Sequence, residues 1–218
     1  MDGSDRRARD VRNARRRDDD GGSEWEEVLG YVPVTVLSVV VFAGVFTALG
    51  VRPVEVVGGG FLFEVSNFLQ VHVLNMLMHR GAEHYFVNML LLVLFGGVLT
   101  LLTTNGHTAF VMVAAHVSAS VHLTATTGET AIGSSLAIAG VVVATFVRTA
   151  ALPFVGGGME LGERLLVGVV AVVVVSLYAV TSVTGTLYLP VTDHHLGGWV
   201  FGALAEVAWM LWVGYRRG

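Results

Sequence analysis

The chain has 218 residues, of which 54% are apolar and only 14% are charged. Its mean hydropathy of +0.69 is too high for an ordinary soluble domain, so the composition predicts a membrane protein. The sequence contains no cysteine. This excludes a disulfide framework, a zinc site built on thiolates and a cysteine nucleophile.

The composition changes along the chain and predicts two regions. Residues 1–30 are expected to be a disordered cytoplasmic tail, and residues 31–218 a membrane domain. The tail holds seven arginines interleaved with aspartates. Since the acids nearly cancel the arginine charge, a solvated tail is favoured and no nucleic-acid partner is expected. The apolar run after the tail is too long for a signal-peptide core and lacks a small-residue cleavage site, so it is interpreted as a retained first span.

Six apolar stretches are long enough to cross a bilayer, which takes about 17–25 residues each. They cover residues 31–50, 85–102, 108–124, 131–147, 165–186 and 194–215. Lipid offers the backbone no hydrogen-bond partners, so each stretch is expected to be a helix. The segment 51–83 is partly apolar but carries polar residues such as Glu64, His72 and Asn75. We therefore expect an interfacial first loop with some amphipathic helix.

The arginines predict the orientation of these spans. If the first span begins inside, eleven of the 13 arginines lie on the cytoplasmic side, and Arg52 and Arg80 lie outside. This asymmetry follows the positive-inside rule, so both termini are expected in the cytoplasm. We expect a multi-pass integral protein of the plasma membrane of a prokaryote, with the lipid bilayer as a partner. The sequence leaves the oligomeric state open.

Four polar residues fall near the outer ends of three predicted spans. His84 and Asn88 begin the second span and share a helix face, because they are one turn apart. Ser135 begins the fourth span and His195 the sixth. A serine becomes a nucleophile when a base takes its proton, and histidine has a suitable pKa. Attack on a peptide carbonyl also requires fixed donors for the oxyanion. The four residues can supply both functions.

Each of these residues also has a structural interpretation. Histidines at helix ends near an interface cost little, so His84 or His195 taken alone is as compatible with packing as with catalysis. Asn88 could bond a neighbouring helix. Ser134 is a rival nucleophile, although its side chain points about 100° away from that of Ser135. The functional interpretation depends on the prediction that all four candidate residues lie at the same depth near the outer membrane face.

Three other polar residues lie within the predicted spans. His116 and His122 are six residues apart and do not share a helix face, so they are interpreted as packing or interface residues and not as a metal or haem pair. Glu206 follows His195 by three turns on the same face and is expected to point into the bundle. A buried carboxylate needs a partner or a proton, and the sequence does not identify the partner.

Three short motifs contain the candidate residues. HRGAEHYFVN contains His79, His84 and Asn88; GSSL contains Gly133 and Ser135; HHLGGWVFG contains His195, Gly198 and Gly202. In this order and spacing, over residues 31–215, the chain resembles the rhomboid family of intramembrane serine proteases. The resemblance implies an all-α, six-transmembrane-helix rhomboid-like bundle.

The resemblance also implies an activity, a serine endopeptidase that cleaves transmembrane segments of membrane proteins near the outer face. Ser135 would be the nucleophile and His195 the general base and then acid, without a third acidic member. His84 and Asn88 would stabilise the oxyanion, together with the Ser135 backbone N–H. The substrates would be transmembrane proteins, and no metal or cofactor is implied. The absence of an HExxH motif likewise disfavours a metalloprotease.

The remaining motif residues are expected to support this site. Gly133 and His79 belong to the motifs of the nucleophile and of the oxyanion donors. Gly198 and Gly202 form a small-residue face that would let the sixth span approach the fourth closely enough for His195 to reach Ser135.

The chain departs from the family's motifs at two positions. Leu136 replaces the glycine after the serine, and His194 replaces the alanine before the histidine. A bulky Leu136 favours an alternative function, a catalytically impaired rhomboid-like protein that binds membrane-protein clients. A transporter that uses outer histidines for ions or protons is a third interpretation. It is disfavoured because the polar residues are expected to cluster at one membrane face instead of tracing a path across.

Overall fold

The computed structural model of the protein describes residues 32–53, 65–155 and 193–217. Six helices account for most of these residues: α1 (Val34–Ala48), α2 (Val65–His72), α3 (Ala82–Leu102), α4 (Asn105–Thr127), α5 (Ser135–Val155) and α6 (Asp193–Arg217). No strand occurs within these three ranges. The predicted all-α class is therefore confirmed for the part of the chain that is described.

Five of the six predicted spans contain a described helix, since α2 belongs to the predicted first loop. Three stretches are long and apolar enough to cross a membrane: Ala82–Leu102, Asn105–Thr127 and His195–Val213. Val34–Ala48 and Ser135–Ala151 are apolar but shorter. The predicted fifth span, residues 165–186, and the predicted tail, residues 1–30, lie outside the described residues.

Local sequence signals explain the bounds of α4. The Thr104 side chain accepts a hydrogen bond of 3.1 Å from the His107 N–H, which satisfies one of the unpaired donors at the helix start. Gly128 ends the helix in a left-handed conformation with φ of 75°, and its N–H donates to the Thr124 carbonyl. The connections before and after α4 are short, so α3, α4 and α5 run alternately up and down.

The main apolar core lies between α1, α3, α4 and α5. Its fully buried members include Val36, Leu92, Leu99, Val111, Met112, Ile138 and Val141. The outside of the bundle is also apolar, because large hydrophobic side chains such as Phe42, Phe86 and Leu211 are more than half exposed. A helix bundle that is apolar on both its inner and its outer surfaces suits lipid as the surrounding solvent.

The backbone of α6 lies directly against α5. A Cβ added at Gly202 would overlap the Gly140 backbone, and one at Gly198 would overlap the Leu136 carbonyl. Gly197 lies in the same way against Ala119 of α4. Small residues at these positions let the helix backbones approach closely, as is common where helices pack in membranes.

The first loop contains α2 and a 3-10 turn, Leu74–Leu77. Val71 and His72 are buried, whereas Leu69 is half exposed. The His72 Nδ1 lies 2.8 Å from the Ser120 hydroxyl of α4. The loop therefore contains helix, as expected, and one side of it packs on the bundle. Its position at the membrane interface stays a prediction.

The glycine contact between α5 and α6 yields a stability prediction. Gly202→Ala should lower the free energy of unfolding by about 1–3 kcal/mol, because the added methyl group overpacks against backbone that cannot move aside. Gly97→Ala in α3 is the matched control, since its Cβ would meet no atom within 4 Å. The control should be neutral or stabilising, by up to about 1 kcal/mol. Denaturant titration in detergent micelles measures both, and equal stabilities would contradict the close approach.

Candidate active site

A cavity of about 290 Å³ lies where the first turns of α3, α5 and α6 meet. Ser135, His84 and His195 all line it. These three residues come from three different predicted spans and are separated by up to 111 positions in the sequence. The fold thus brings a serine and two histidines to one solvent-accessible space.

The rest of the cavity wall is mixed in character. Leu123, Ile132 and Leu136 provide apolar surface, whereas Arg80 and Glu129 are exposed and of opposite charge. An apolar pocket with a few polar groups is the usual form of a site that binds an apolar segment and orients it.

Gly133 is the centre of the packing behind the cavity. Its φ of +84° is a conformation that side-chain-bearing residues rarely adopt. A Cβ here would lie 2.9 Å from the His84 ring, 3.4 Å from the His79 ring and 3.5 Å from the Asn88 amide nitrogen. Two of the predicted oxyanion donors and one supporting histidine therefore converge on the residue two positions before Ser135.

The first loop fixes this turn in place. The Gly133 N–H donates to the Asn75 carbonyl at 2.9 Å, and the Asn75 side chain reaches the Ala131 carbonyl at 3.5 Å. Asn75 is fully buried. The polar residues that made the segment 51–83 unusual for a span thus include one that holds the start of α5.

Two buried nitrogen atoms have no hydrogen-bond partner among the described residues, His84 Nδ1 and Asn88 Nδ2. His84 lines the cavity, whereas Asn88 is not among the lining residues and lies against Gly133. Asn88 is only 2% exposed. Leaving a buried donor unpaired costs about 1–3 kcal/mol, so such groups usually await a ligand or water. Either nitrogen could donate a hydrogen bond to an oxygen atom with developing negative charge.

The two adjacent serines have different surroundings. Ser134 is fully buried, and its hydroxyl lies 3.3 Å from His79 Nε2. The His79 Nδ1 lies 3.3 Å from the Leu77 carbonyl, so it donates there and leaves Nε2 to accept from Ser134. Ser135 is partly exposed to the cavity instead. Of these two serines, only Ser135 lines the cavity.

The contact between α5 and α6 brings His195 near Ser135. Gly198, one turn after His195, lies against the carbonyl of Leu136, the residue after Ser135. The Leu136 side chain is 3% exposed, and it packs with Ala119 and Ala131 while also lining the cavity. It occupies space between α4 and α6.

Sequence reasoning did not identify the partners of Glu206. As expected, Glu206 is fully buried. Its carboxylate accepts a hydrogen bond of 2.5 Å from His107 Nε2, and Arg148 Nε lies 2.7 Å from the other oxygen, as an ion pair whose N–H is not aligned for a hydrogen bond. The sequence did contain an indication of the contact between Glu206 and Arg148. Arg148 follows Ser135 by 13 residues and Glu206 follows His195 by 11, so the two residues are expected at a similar depth in the membrane.

The remaining histidines differ from each other. His116 is fully buried, and neither of its ring nitrogens has a hydrogen-bond partner among the described residues. His122 is exposed beside Phe201. Glu206, His107 and Arg148 lie at the other end of the described bundle from Ser135. The expectation that polar residues cluster at one membrane face is therefore wrong. Within the three described ranges, no three potential metal ligands lie together.

Comparison of the sequence with protein-family models and with curated proteins gives no match. The function is therefore argued from the geometry of Ser135, His195, His84 and Asn88, and from the resemblance of the motifs that contain them.

The burial of His79 predicts a pH dependence of stability. Burial, and then the neighbouring His84, lower the pKa of His79 from 6.5 to about 4. The unfolded chain thus takes up a proton first as the pH falls. Between pH 7 and 5 the protein should lose about 2 kcal/mol of stability through this residue.

His79→Gln is the control for this pH effect, because glutamine does not titrate. Denaturant titrations at pH 7 and pH 5 should show a smaller loss in this variant than in the wild type. Burial also lowers the pKa of His72, so some loss remains in both proteins. An equal loss in wild type and variant would show that His79 titrates normally.

Proposed function

We propose that the chain is an intramembrane serine endopeptidase of the rhomboid type. The observation that carries the proposal is the shared cavity of Ser135, His84 and His195. The proposed architecture has six spans, the interfacial first loop and both termini in the cytoplasm, in the plasma membrane of a prokaryote. Its lipid-facing surface is the exposed apolar exterior of the described helices.

The proposed reaction begins with the hydroxyl of Ser135. The oxygen attacks the scissile carbonyl carbon while His195 takes the hydroxyl proton, and the carbonyl oxygen becomes an oxyanion. Collapse of this intermediate breaks the C–N bond, and His195 returns the proton to the leaving amine. A water then attacks the acyl-enzyme, with His195 again as base, and releases the carboxylate product and the free serine.

His84 and Asn88 stabilise the oxyanion in this mechanism. The support is that each carries a buried nitrogen without a partner among the described residues, beside the turn that leads into Ser135. A donor that is fixed before the reaction requires little reorganisation in the transition state. The Ser135 backbone N–H at the start of α5 is the third donor, because the first amides of a helix lack partners within it.

The proposed substrates are transmembrane segments of other proteins. The cavity lies at the ends of the helices, and Leu123, Ile132 and Leu136 give part of its wall an apolar surface that an apolar chain can contact. A peptide bond inside a regular helix has its carbonyl bonded four residues onward, which hinders attack. Segments that unwind near the outer face are therefore the preferred substrates. The oxygen and nitrogen groups of the site perform these steps without a metal or cofactor.

Leu136 supports a second candidate function, a catalytically impaired rhomboid-like protein that binds membrane-protein clients. Where the rhomboid motif has a glycine after the serine, this chain has a bulky side chain that lines the cavity next to Ser135 and packs against Ala119 and Ala131. Such a protein would hold a transmembrane segment in the same cavity without cleaving it. Binding without turnover, unaffected by Ser135→Ala, distinguishes this function from the protease.

The decisive experiment is cleavage of a single-span test protein with helix-breaking residues in its outer segment, in reconstituted liposomes. Wild type should cleave it, whereas Ser135→Ala and His195→Ala should be inactive. Ser118→Ala, a partly exposed serine on α4, is the matched control and should retain activity. Cleavage by the Ser135 variant would exclude it as the nucleophile, and a loss confined to Ser134→Ala would identify Ser134 instead.

The oxyanion role of Asn88 gives a separate kinetic prediction. Asn88→Ala should lower kcat by about 10²–10³-fold with little change in KM, because the lost donor acts only on the transition state. Initial rates over a range of substrate densities in the bilayer separate the two parameters. A raised KM with an unchanged kcat would assign Asn88 to substrate binding.

A further inference from the structure

Glu206, His107 and Arg148 form a buried charged cluster that the proposed reaction does not use. Glu206 and His107 are 0% and 1% exposed, and Arg148 is 14% exposed. The cluster joins the first turns of α4 to the far parts of α5 and α6. Since α4 and α5 run in opposite directions, it lies at the other end of the bundle from Ser135.

Moving a charged group from water into the protein interior is costly, and the attraction to an oppositely charged partner only partly offsets this cost. Stability alone therefore gives a weak reason for the cluster. The best-attested use of a buried polar contact is to specify the register of packed helices. In this bundle the helix concerned is α6, which carries Glu206.

The closest contacts of α6 with α5 and α4 are made by Gly197, Gly198 and Gly202, which lie against backbone or against alanine. Farther along α6, Trp209 adds side-chain contacts with His107 and Phe110 of α4. The glycine face itself has no side chains that insert between those of the neighbouring helix. These glycine contacts allow close approach but resist sliding of α6 along its axis only weakly.

We infer that Glu206 is a positioning residue that sets the register of α6 against α4 and α5. Its carboxylate accepts from His107 on α4 and lies against Arg148 on α5, so a shift of α6 in either direction breaks both contacts. A shift that separates the charges leaves them buried and unpaired, at a cost of several kcal/mol. This penalty supplies the axial restraint that the glycine contacts lack.

The register of α6 sets the position of His195. The two residues lie 11 positions apart on one helix, or about 16 Å along its axis. A rigid helix transmits a shift at one end to the other, and a shift of one turn is about 5.4 Å. Such a shift moves His195 beyond hydrogen-bond reach of the Ser135 hydroxyl. Glu206 therefore positions His195 from about three helical turns farther along α6.

The register can be measured without any assay of activity. The chain has no cysteine, so a pair of introduced cysteines can be spin-labelled without background. Leu196→Cys on α6 and Val113→Cys on α4 are both exposed positions, and their offset along the helix axis makes their distance sensitive to sliding. Pulsed electron paramagnetic resonance in liposomes gives the distribution of distances.

With Glu206 intact, the distribution should be narrow. Glu206→Gln should broaden it or add a second population displaced by up to about 5 Å. Glu83→Gln removes an exposed carboxylate and is the matched control, which should keep the narrow distribution. A folded Glu206→Gln protein with an unchanged distribution would overturn the inference.

Arg148→Gln is a second variant, milder because Glu206 keeps its bond to His107. It should broaden the same distribution. If both variants fail to fold, as judged by size exclusion and circular dichroism, the cluster is required for the fold as a whole and the register role is rejected.

The effect on activity rests on the proposed protease function and is read separately. Glu206→Gln should lower kcat at least tenfold while KM stays within about twofold, since His195 is the one α6 residue among those that line the cavity. An unchanged kcat with a broadened distribution would overturn the coupling to His195. Absence of cleavage by the wild type would reject the protease function and leave the distance measurement valid.

Discussion

The left-handed turn at Gly133 is the constraint on which the site depends. It lets the chain enter α5 with Ser135 facing the cavity while Ser134 faces inward to His79. It also leaves room for the ring of His79 in the first loop and for the ring of His84 and the amide of Asn88 in α3, which pack where a Cβ would otherwise be. The bond from its N–H to Asn75 adds the first loop to the same unit. The proposed nucleophile, the proposed oxyanion donors and the first loop thus all depend on the backbone conformation of this one turn.

Much of the fold follows from properties that are local in the sequence. Apolar stretches separated by polar or glycine-containing connections predict helices, and five of the predicted spans contain one among the described residues. The depth of Ser135, His84 and His195 follows from counting residues along each span, since the rise of a helix is fixed. For this reason the convergence of the three on one cavity could be expected before any coordinates.

Contacts between helices could not be predicted in the same way. The burial of Glu206 follows from its helix face, but its pairing with His107 and Arg148 depends on which helices are neighbours and how they rotate. The bond between His72 and Ser120 depends likewise on how the first loop folds back onto α4. Residue spacing determines the side of a helix and the depth along it, and leaves the facing partner open.

The proposed hydrolysis needs a supply of water to an apolar bundle, and two charged residues of the cavity wall offer one. Arg80 and Glu129 line the cavity that also holds Ser135, and both are exposed. In a bilayer, hydrated side chains of this kind belong to the headgroup layer, where water is abundant. In the proposed reaction, water would thus reach Ser135 from the aqueous side, while the transmembrane substrate would approach through lipid. The two proposed reactants would arrive by separate routes and meet at one residue.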